Sequence, residues 1–334
     1  MTQTLAYHNA EAQLETIFAA FKKRTIRRVF FVACGGSSAL MYPSKYFIDR
    51  ESATITADIF SSNEFIHRSP RSLNEESLVI LMSHKGKTPE TTEAAQFAKS
   101  KGALTVSLMY VETAPLADAS DYIVNYSWIS AGNMEPNPEI MNYAILYRLS
   151  MGLLYVKEGN KKYEKLLASL KNLGAVFERV MQQVSEPAKA YAESVKDEKI
   201  IYTMASGSNY GVAYSFAICI LMEMQWKHSH AIHAGEFFHG PFEILDKDVP
   251  FILLMGLDET RPLEERALTF LQQYGEKLLV IDAKSFDLTG IDDEVKGYLA
   301  PIVINFALRI YALALSKATG HPLETRRYMF KVPY

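Results

Sequence analysis

Twice in this chain a short apolar run without polar alternation breaks off into Gly and Ser and then into a helical pattern, and no other feature limits the fold as much. Arg28 to Cys34 (RVFFVAC) ends in Gly35-Gly36-Ser37-Ser38, and Ile200 to Met204 (IIYTM) ends in Ala205-Ser206-Gly207-Ser208. A run that does not alternate suits a strand buried on both faces, as in a parallel sheet. After the first run the pattern predicts a helix from about Ala39 to Arg50 and strands near Thr54 to Phe60 and at Leu78 to Met82. A helix from Pro89 to Lys101 and a strand from Leu104 to Met109 follow. After the second it predicts a long helix, strands at Phe251 to Met255 and Leu278 to Ile281, and a helix between them from about Pro262 to Tyr274. Strands alternating with helices of this length imply βαβ units with right-handed crossovers. The expected fold is α/β, with two doubly wound parallel-sheet domains.

At 334 residues the chain exceeds what one core usually organises, which agrees with two domains. The expected layout is an N-terminal helix at 1–23, a first domain at 24–155, connecting helices at 156–195 and a second domain at 196–334. The connecting part reads as helical because Gly and Pro are sparse there. A net charge of -3 gives no basic face for a nucleic-acid backbone. Cys34 and Cys219 both lie in apolar segments, so a disulfide framework or Cys-based zinc site is not expected, and a reducing, cytoplasmic setting is. Met1 to Lys23 lacks the apolar core of a signal peptide and reads as an amphipathic helix. Tyr298 to Leu315 approaches membrane length but is interrupted by Asn305 and Arg309, so a buried helix is expected and no membrane contact.

Ligands of open parallel sheets settle beyond the carboxyl ends of the strands, where helix N-termini offer unpaired N–H groups and partial positive charge. The segment Ser83-His84-Lys85-Gly86-Lys87-Thr88 stands there, with two hydroxyls, a Gly that lets backbone approach an anion, and two lysines. Ser37 adds a hydroxyl from the neighbouring junction. Such a set suits a phosphate monoester. It lacks both the Walker spacing and the Gly-x-Gly-x-x-Gly of dinucleotide sites. Ser and Thr also cap helices routinely, and residue types alone leave both readings open.

Tyr210 to Trp226 (YGVAYSFAICILMEMQW) is apolar nearly all round, yet carries one charge, Glu223. A carboxylate in an apolar helix needs a partner or a raised pKa, which is how a general base is made. The plainer reading is that Glu223 reaches water or pairs with Lys227. His228, His230 and His233 invite a metal hypothesis, but neither an HExxH helix nor a Cys partner accompanies them, and no metal is expected. His239 is framed by Gly235, Gly240 and Pro241. That composition points to a tight loop, where a histidine is more often functional than packed.

Five motifs together resemble the sugar isomerase (SIS) domain family over nearly the whole chain, as a tandem pair. They are ACGGS (Ala33 to Ser37), SHKGKTPET (Ser83 to Thr91), MEMQW (Met222 to Trp226), GEFFHGPFE (Gly235 to Glu243) and TRRYMFKVPY (Thr325 to Tyr334). Within the family the chain is most similar to deglycases of 6-phosphorylated Amadori compounds, and more distantly to the isomerase half of glucosamine-6-phosphate synthase. That isomerase uses a Glu and a His sixteen positions apart, as Glu223 and His239 are here. The resemblance implies proton transfer between sugar carbons by Glu223, ring opening assisted by His239, and phosphate binding by Ser37, Ser83 and Thr88. Lys85 replaces a serine of the synthase and is expected to meet phosphate as a point charge. Gly35, Gly36, His84, Glu236 and Lys331 are expected to line the substrate. The synthase's glutamine-hydrolysing part needs an N-terminal catalytic Cys, whereas this chain begins Met1-Thr2-Gln3, so reactions that release an amine are favoured.

The resulting expectation is a cofactor-independent enzyme that splits a 6-phosphorylated fructosyl amino acid into glucose 6-phosphate and free amino acid. It is expected to form homo-oligomers, with His239 a candidate to act in a neighbouring subunit's site. The alternatives are an aldose-ketose phosphosugar isomerase or deaminase, or a non-catalytic phosphosugar sensor.

Overall fold

The apolar runs become strands because both of their faces are covered. A computed structural model describes residues 3–128, 137–329 and 331–333, with side chains from residue 9 onward. Phe330 and Tyr334 of the tail motif lie outside the described residues. The chain divides into two compact units, Met1–Gly174 and Ala175–Tyr334.

In the first unit α1 (Gln3–Lys23) precedes β1 (Arg28–Ala33), α2 (Gly35–Ala39), α3 (Tyr42–Glu51), β2 (Thr56–Phe60), α4 (Ser62–Arg68) and β3 (Ser77–Met82). Then come α5 (Pro89–Ser100), β4 (Leu104–Met109), α6 (Pro115–Ala119), β5 (Tyr122–Asn125), α7 (Asn142–Glu158) and α8 (Lys162–Leu170); α9 (Leu173–Val195) starts at the division. The five strands are parallel, in the order β2-β1-β3-β4-β5. Every residue of β3 and β4 is buried. Phe30, Val32, Val79 and Leu81 pack on Phe65 of α4 and on Ala94, Ala95 and Ala98 of α5, whose small side chains let the helix lie close to the sheet. Their neighbours Phe31, Ile80 and Val106 are buried as fully, which is why these runs cannot alternate.

The second unit repeats the scheme with β6 (Tyr202–Ala205), α10 (Tyr210–Ser215), β7 (Ala231–His233), β8 (Phe251–Met255), α11 (Arg261–Tyr274), β9 (Leu278–Asp282) and α12 (Asp293–Thr319). Its parallel strands run β7-β6-β8-β9. Met204, Phe251, Leu253 and Met255 meet Ala267 and Leu271 of α11 and Phe237 of the loop after β7. Among the described residues α12 is the one helix long and apolar enough to cross a membrane, and 67% of that stretch is buried within the protein.

Two expectations need correction. The helix after β1 does not begin at Ala39. The chain enters α2 directly at Gly35, whose φ of +54° permits the turn off the strand, and breaks at Leu40-Met41 before α3. The segment Tyr210 to Trp226 is not one α-helix either, since Phe216–Met224 is wound as a π-helix. Strands β5 and β7 escaped sequence reading because they are short edge strands without a continuous apolar run.

Candidate active site

The order of the first sheet reverses direction between β1 and β3, and a doubly wound sheet opens a crevice at the carboxyl ends of such a pair. Ala33 is paired with Met82, so the segments Cys34 to Ser38 and Ser83 to Thr88 leave the sheet side by side. Ser83 is 3% exposed, and its hydroxyl lies 2.9 Å from the Thr88 hydroxyl while accepting the Thr88 N–H at 3.4 Å. Thr88 occupies the N-cap position of α5, but its side chain makes no capping bond. The two hydroxyls are thus paired with each other at a helix N-terminus.

Gly86 makes the turn possible. Its φ is +63°, and a Cβ there would meet that of Ala114 at 2.4 Å, too close for any side chain. The Gly86 N–H donates to the Ser83 carbonyl at 2.9 Å, and the Gly86 carbonyl accepts from Leu116 N–H at 3.2 Å. Lys85 is exposed beside it, and Ser37 and Gly36 are half-buried on α2. His84 packs in an aromatic group. Its Nδ1 is 3.0 Å from the Tyr126 hydroxyl, and its ring centroid lies 4.4 Å from Tyr110 and 4.3 Å from Trp128. Burial, helped by the charge of Lys85, brings its pKa down to about 4, so the ring is neutral at physiological pH.

In the second unit Glu223 sits on the last turn of the π-helix, a rare winding frequent at functional sites. Gln225 N–H closes that helix on the Ile220 carbonyl at 2.9 Å. The Gln225 side chain donates to the His321 carbonyl at 2.8 Å and accepts from the Thr319 hydroxyl at 2.9 Å, tying the end to α12. Trp226 adopts a φ of +53°, a strained conformation for a bulky side chain, and carries the Arg327 guanidinium 4.2 Å over its ring.

The Glu223 side chain is 23% exposed, and its Oε1 accepts from Arg326 Nη2 at 2.8 Å. Burial pushes the carboxyl pKa up, and Arg326 opposes the rise. The pairing with Lys227 does not form. The Lys227 ammonium instead donates to the carbonyls of Lys196 at 2.7 Å and Glu198 at 2.6 Å, where it covers the end of α9. Arg326 escaped sequence reading because nothing local links the tail to the π-helix. The tail motif TRRYMFKVPY contains it, but the family resemblance points only to Lys331. That lysine is exposed and donates to the Arg326 carbonyl at 2.5 Å.

The loop after β7 is nailed down by its phenylalanines. Phe237 is fully buried against Phe251 and Phe270, and this fixes the intervening turn while Glu236 and His239 remain exposed. His239 N–H donates to the Glu236 carbonyl at 2.9 Å, and Gly240 follows with a φ of +129°. The His239 ring makes no bond to Glu223. Among the described residues no three His, Cys, Asp or Glu side chains converge. His233 Nδ1 accepts from Gly235 N–H at 3.1 Å.

The strand order of the second sheet also reverses, between β6 and β8, but this junction is filled by the protein's own carboxylates. Asp258 accepts from Ser208 N–H at 3.0 Å and from Thr260 N–H at 2.9 Å, and also from both residues' hydroxyls. Glu264 accepts from Ser206 N–H at 3.0 Å, the Ser206 hydroxyl at 2.9 Å and Gly256 N–H at 2.7 Å. Residue types alone did not reveal this.

The SIS domain family pattern matches residues 24–127 and 194–289. The fructosamine deglycase FrlB of Bacillus subtilis (strain 168) is 56% identical over 334 residues, covering 100% of both chains. The fructoselysine 6-phosphate deglycase of Escherichia coli (strain K12) is 29% identical over 306 residues, 92% of this chain and 86% of that protein. A crystal structure from Bacillus subtilis superposes with a TM-score of 0.95 at 55% identity, covering 99% of this chain and 100% of its own. With paired parallel sheets, a hydroxyl-lined turn at the first switch point and a family pattern in each half, the chain belongs to the SIS domain family and to its enzymes.

Proposed function

We propose that this enzyme is a deglycase that cleaves a 6-phosphorylated fructosyl amino acid to glucose 6-phosphate and free amino acid. The observation that carries the reading is Glu223: a single carboxylate on a π-helix, shielded enough for burial to raise its pKa, where a general base working near neutral pH belongs. The Ser83–Thr88 hydroxyl pair at the start of α5, with Ser37 and Lys85, supports recognition of the phosphate. The deglycase names of the relatives support the substrate class.

In the proposed sequence His239 assists opening of the furanose, which exposes the C2 carbonyl. Glu223 removes a proton from C1; the electron pair forms the C1–C2 double bond and the C2 oxygen gains a proton, giving an enaminol. Return of a proton to C2 moves the double bond to C1 and nitrogen. Water then adds to the imine carbon and the amine leaves. Isomerisation followed by hydrolysis balances without an oxidant. The exposed position of His239 suits action in a neighbouring copy's site as well as in its own. We place the enzyme in the cytoplasm, in keeping with Cys34 and Cys219 not being joined in a disulfide.

Release of glucose 6-phosphate from a panel of phosphorylated fructosyl amino acids tests the reading. Glu223→Gln is expected to lower turnover by about 10³-fold while sugar-phosphate binding, followed by calorimetry, is kept. Full turnover in that variant removes Glu223 as the base. No release from any member of the panel, with isomerisation of an unsubstituted phosphosugar instead, removes the deglycase assignment.

A further inference from the structure

The ion pair on Glu223 has no part in the proton transfers just described, yet it is the closest charge to the proposed base. Arg326 is well anchored. Its Nη1 donates to the Leu323 carbonyl at 2.7 Å and the Thr325 carbonyl at 2.9 Å, its Nη2 reaches Glu223, and its side chain is 17% exposed. Lys331 ties the Arg326 carbonyl to the end of the tail. The guanidinium therefore arrives with its direction set by two carbonyls of its own segment, not as a loose surface cation.

The other charges around Glu223 are engaged elsewhere. Lys227 is turned to the carbonyls that end α9, Arg327 lies over the Trp226 ring, and His321 meets the edge of that ring at 4.5 Å. From α12, Arg309 feels the charge of Glu324 in the tail. Among the described residues Arg326 is the one cation that acts on Glu223.

We infer that Arg326 is the positioning residue of the active site: its guanidinium fixes the Glu223 carboxylate in one place and balances its charge between turnovers. This inference rests on Glu223 being the base. A half-buried carboxylate without a counter-charge holds a proton more firmly, and one without a hydrogen-bond partner rotates. Arg326 meets both needs, because burial and the guanidinium act on Glu223 in opposite directions.

The test compares Arg326→Gln, Arg326→Lys and Glu223→Gln in the full chain, measuring glucose 6-phosphate release from fructoselysine 6-phosphate between about pH 5 and pH 9. Arg326→Gln is expected to lower kcat at neutral pH by roughly 10- to 100-fold with little change in KM, and to move the acid limb of the kcat profile to higher pH. Arg326→Lys restores the limb and only part of kcat, because an ammonium returns the charge without the fork. A limb that stays in place in Arg326→Gln overturns the inference, whether kcat is unchanged or falls evenly at every pH alongside a lower melting temperature. Glu223→Gln separates the two readings. If it is active, the base assignment has failed; if it is inactive while Arg326→Gln behaves as wild type, only the role of Arg326 has failed.

Discussion

The switch points of the two sheets are the same place in two copies of one fold, and they differ in what fills them. Gly35 and Gly207 follow equivalent strands with φ values of +54° and +49°. A Cβ on Gly35 would meet nothing within 4 Å, whereas one on Gly207 would lie 2.3 Å from the Thr260 hydroxyl and 2.7 Å from Asp258. Thr88 and Thr260 both stand at the N-cap of the following helix. The Thr88 hydroxyl pairs with that of Ser83, while the Thr260 hydroxyl donates to Asp258. A helix N-terminus with inward N–H groups attracts an anion in either unit. In the second unit the chain supplies that anion itself; in the first, the proposed substrate phosphate would take its place.

The comparison breaks most sharply at Asp258. Asp258→Ala strands one buried and one part-buried backbone N–H and two hydroxyls, and we expect a loss of about 3 kcal/mol in stability, read by urea denaturation. Added inorganic phosphate should stabilise the variant more than the parent, because the variant gains a second cradle for the anion beside the one proposed in the first unit, and an anion bound only by the folded form stabilises it. A variant as stable as the parent means that Asp258 does not neutralise the cradle.

The hydroxyl pairs sharpen the contrast next. Ser83→Ala with Thr88→Ala should weaken binding of the phosphorylated substrate by about 100-fold, roughly 2.7 kcal/mol, and leave its unphosphorylated analogue unaffected. Ser206→Ala with Thr260→Ala should leave both affinities alone and lower the melting temperature instead. Equal losses for both ligands in the first pair sink the phosphate assignment.

Glu264 gives a smaller, pH-dependent effect. Burial pushes its carboxyl up to about 7 against the three donors that favour the anion. The folded protein therefore keeps a proton there that the unfolded chain releases near the model-peptide value of 4.5. Its contribution to stability is full below about pH 4.5, declines as pH rises to about 7, and is level above that. Glu264→Gln removes this decline, which would amount to about 3 kcal/mol, so parent minus variant stability should fall between about pH 5 and pH 7. A difference that is flat with pH contradicts the raised value. Smallest of all, Gly35→Ala should cost only about 1 kcal/mol, since there is room for the methyl and only the left-handed backbone resists, whereas Gly207→Ala should cost several times more.

Much of this architecture was legible in the chain. Runs such as Leu78 to Met82 name themselves as doubly covered strands, and the small and polar residues after them mark where a parallel sheet opens. Those signals are local: backbone turns depend on Gly and hydroxyls within a few residues, and strand burial depends on an unbroken apolar run. The residue types of Ser83 to Thr88 and Glu223 were visible for the same reason.

What the tertiary structure decided is which charges and donors meet. Arg326 reaches Glu223, Lys227 turns to the end of α9, and Asp258 and Glu264 occupy the second crevice. The π-winding of Phe216–Met224, which sets the direction of Glu223, is likewise not written in an apolar string that reads equally well as an α-helix. The physical reason is common to all of these. A hydrogen bond or ion pair between residues far apart in sequence leaves no periodicity behind, so its partners are chosen only when packing brings the segments together.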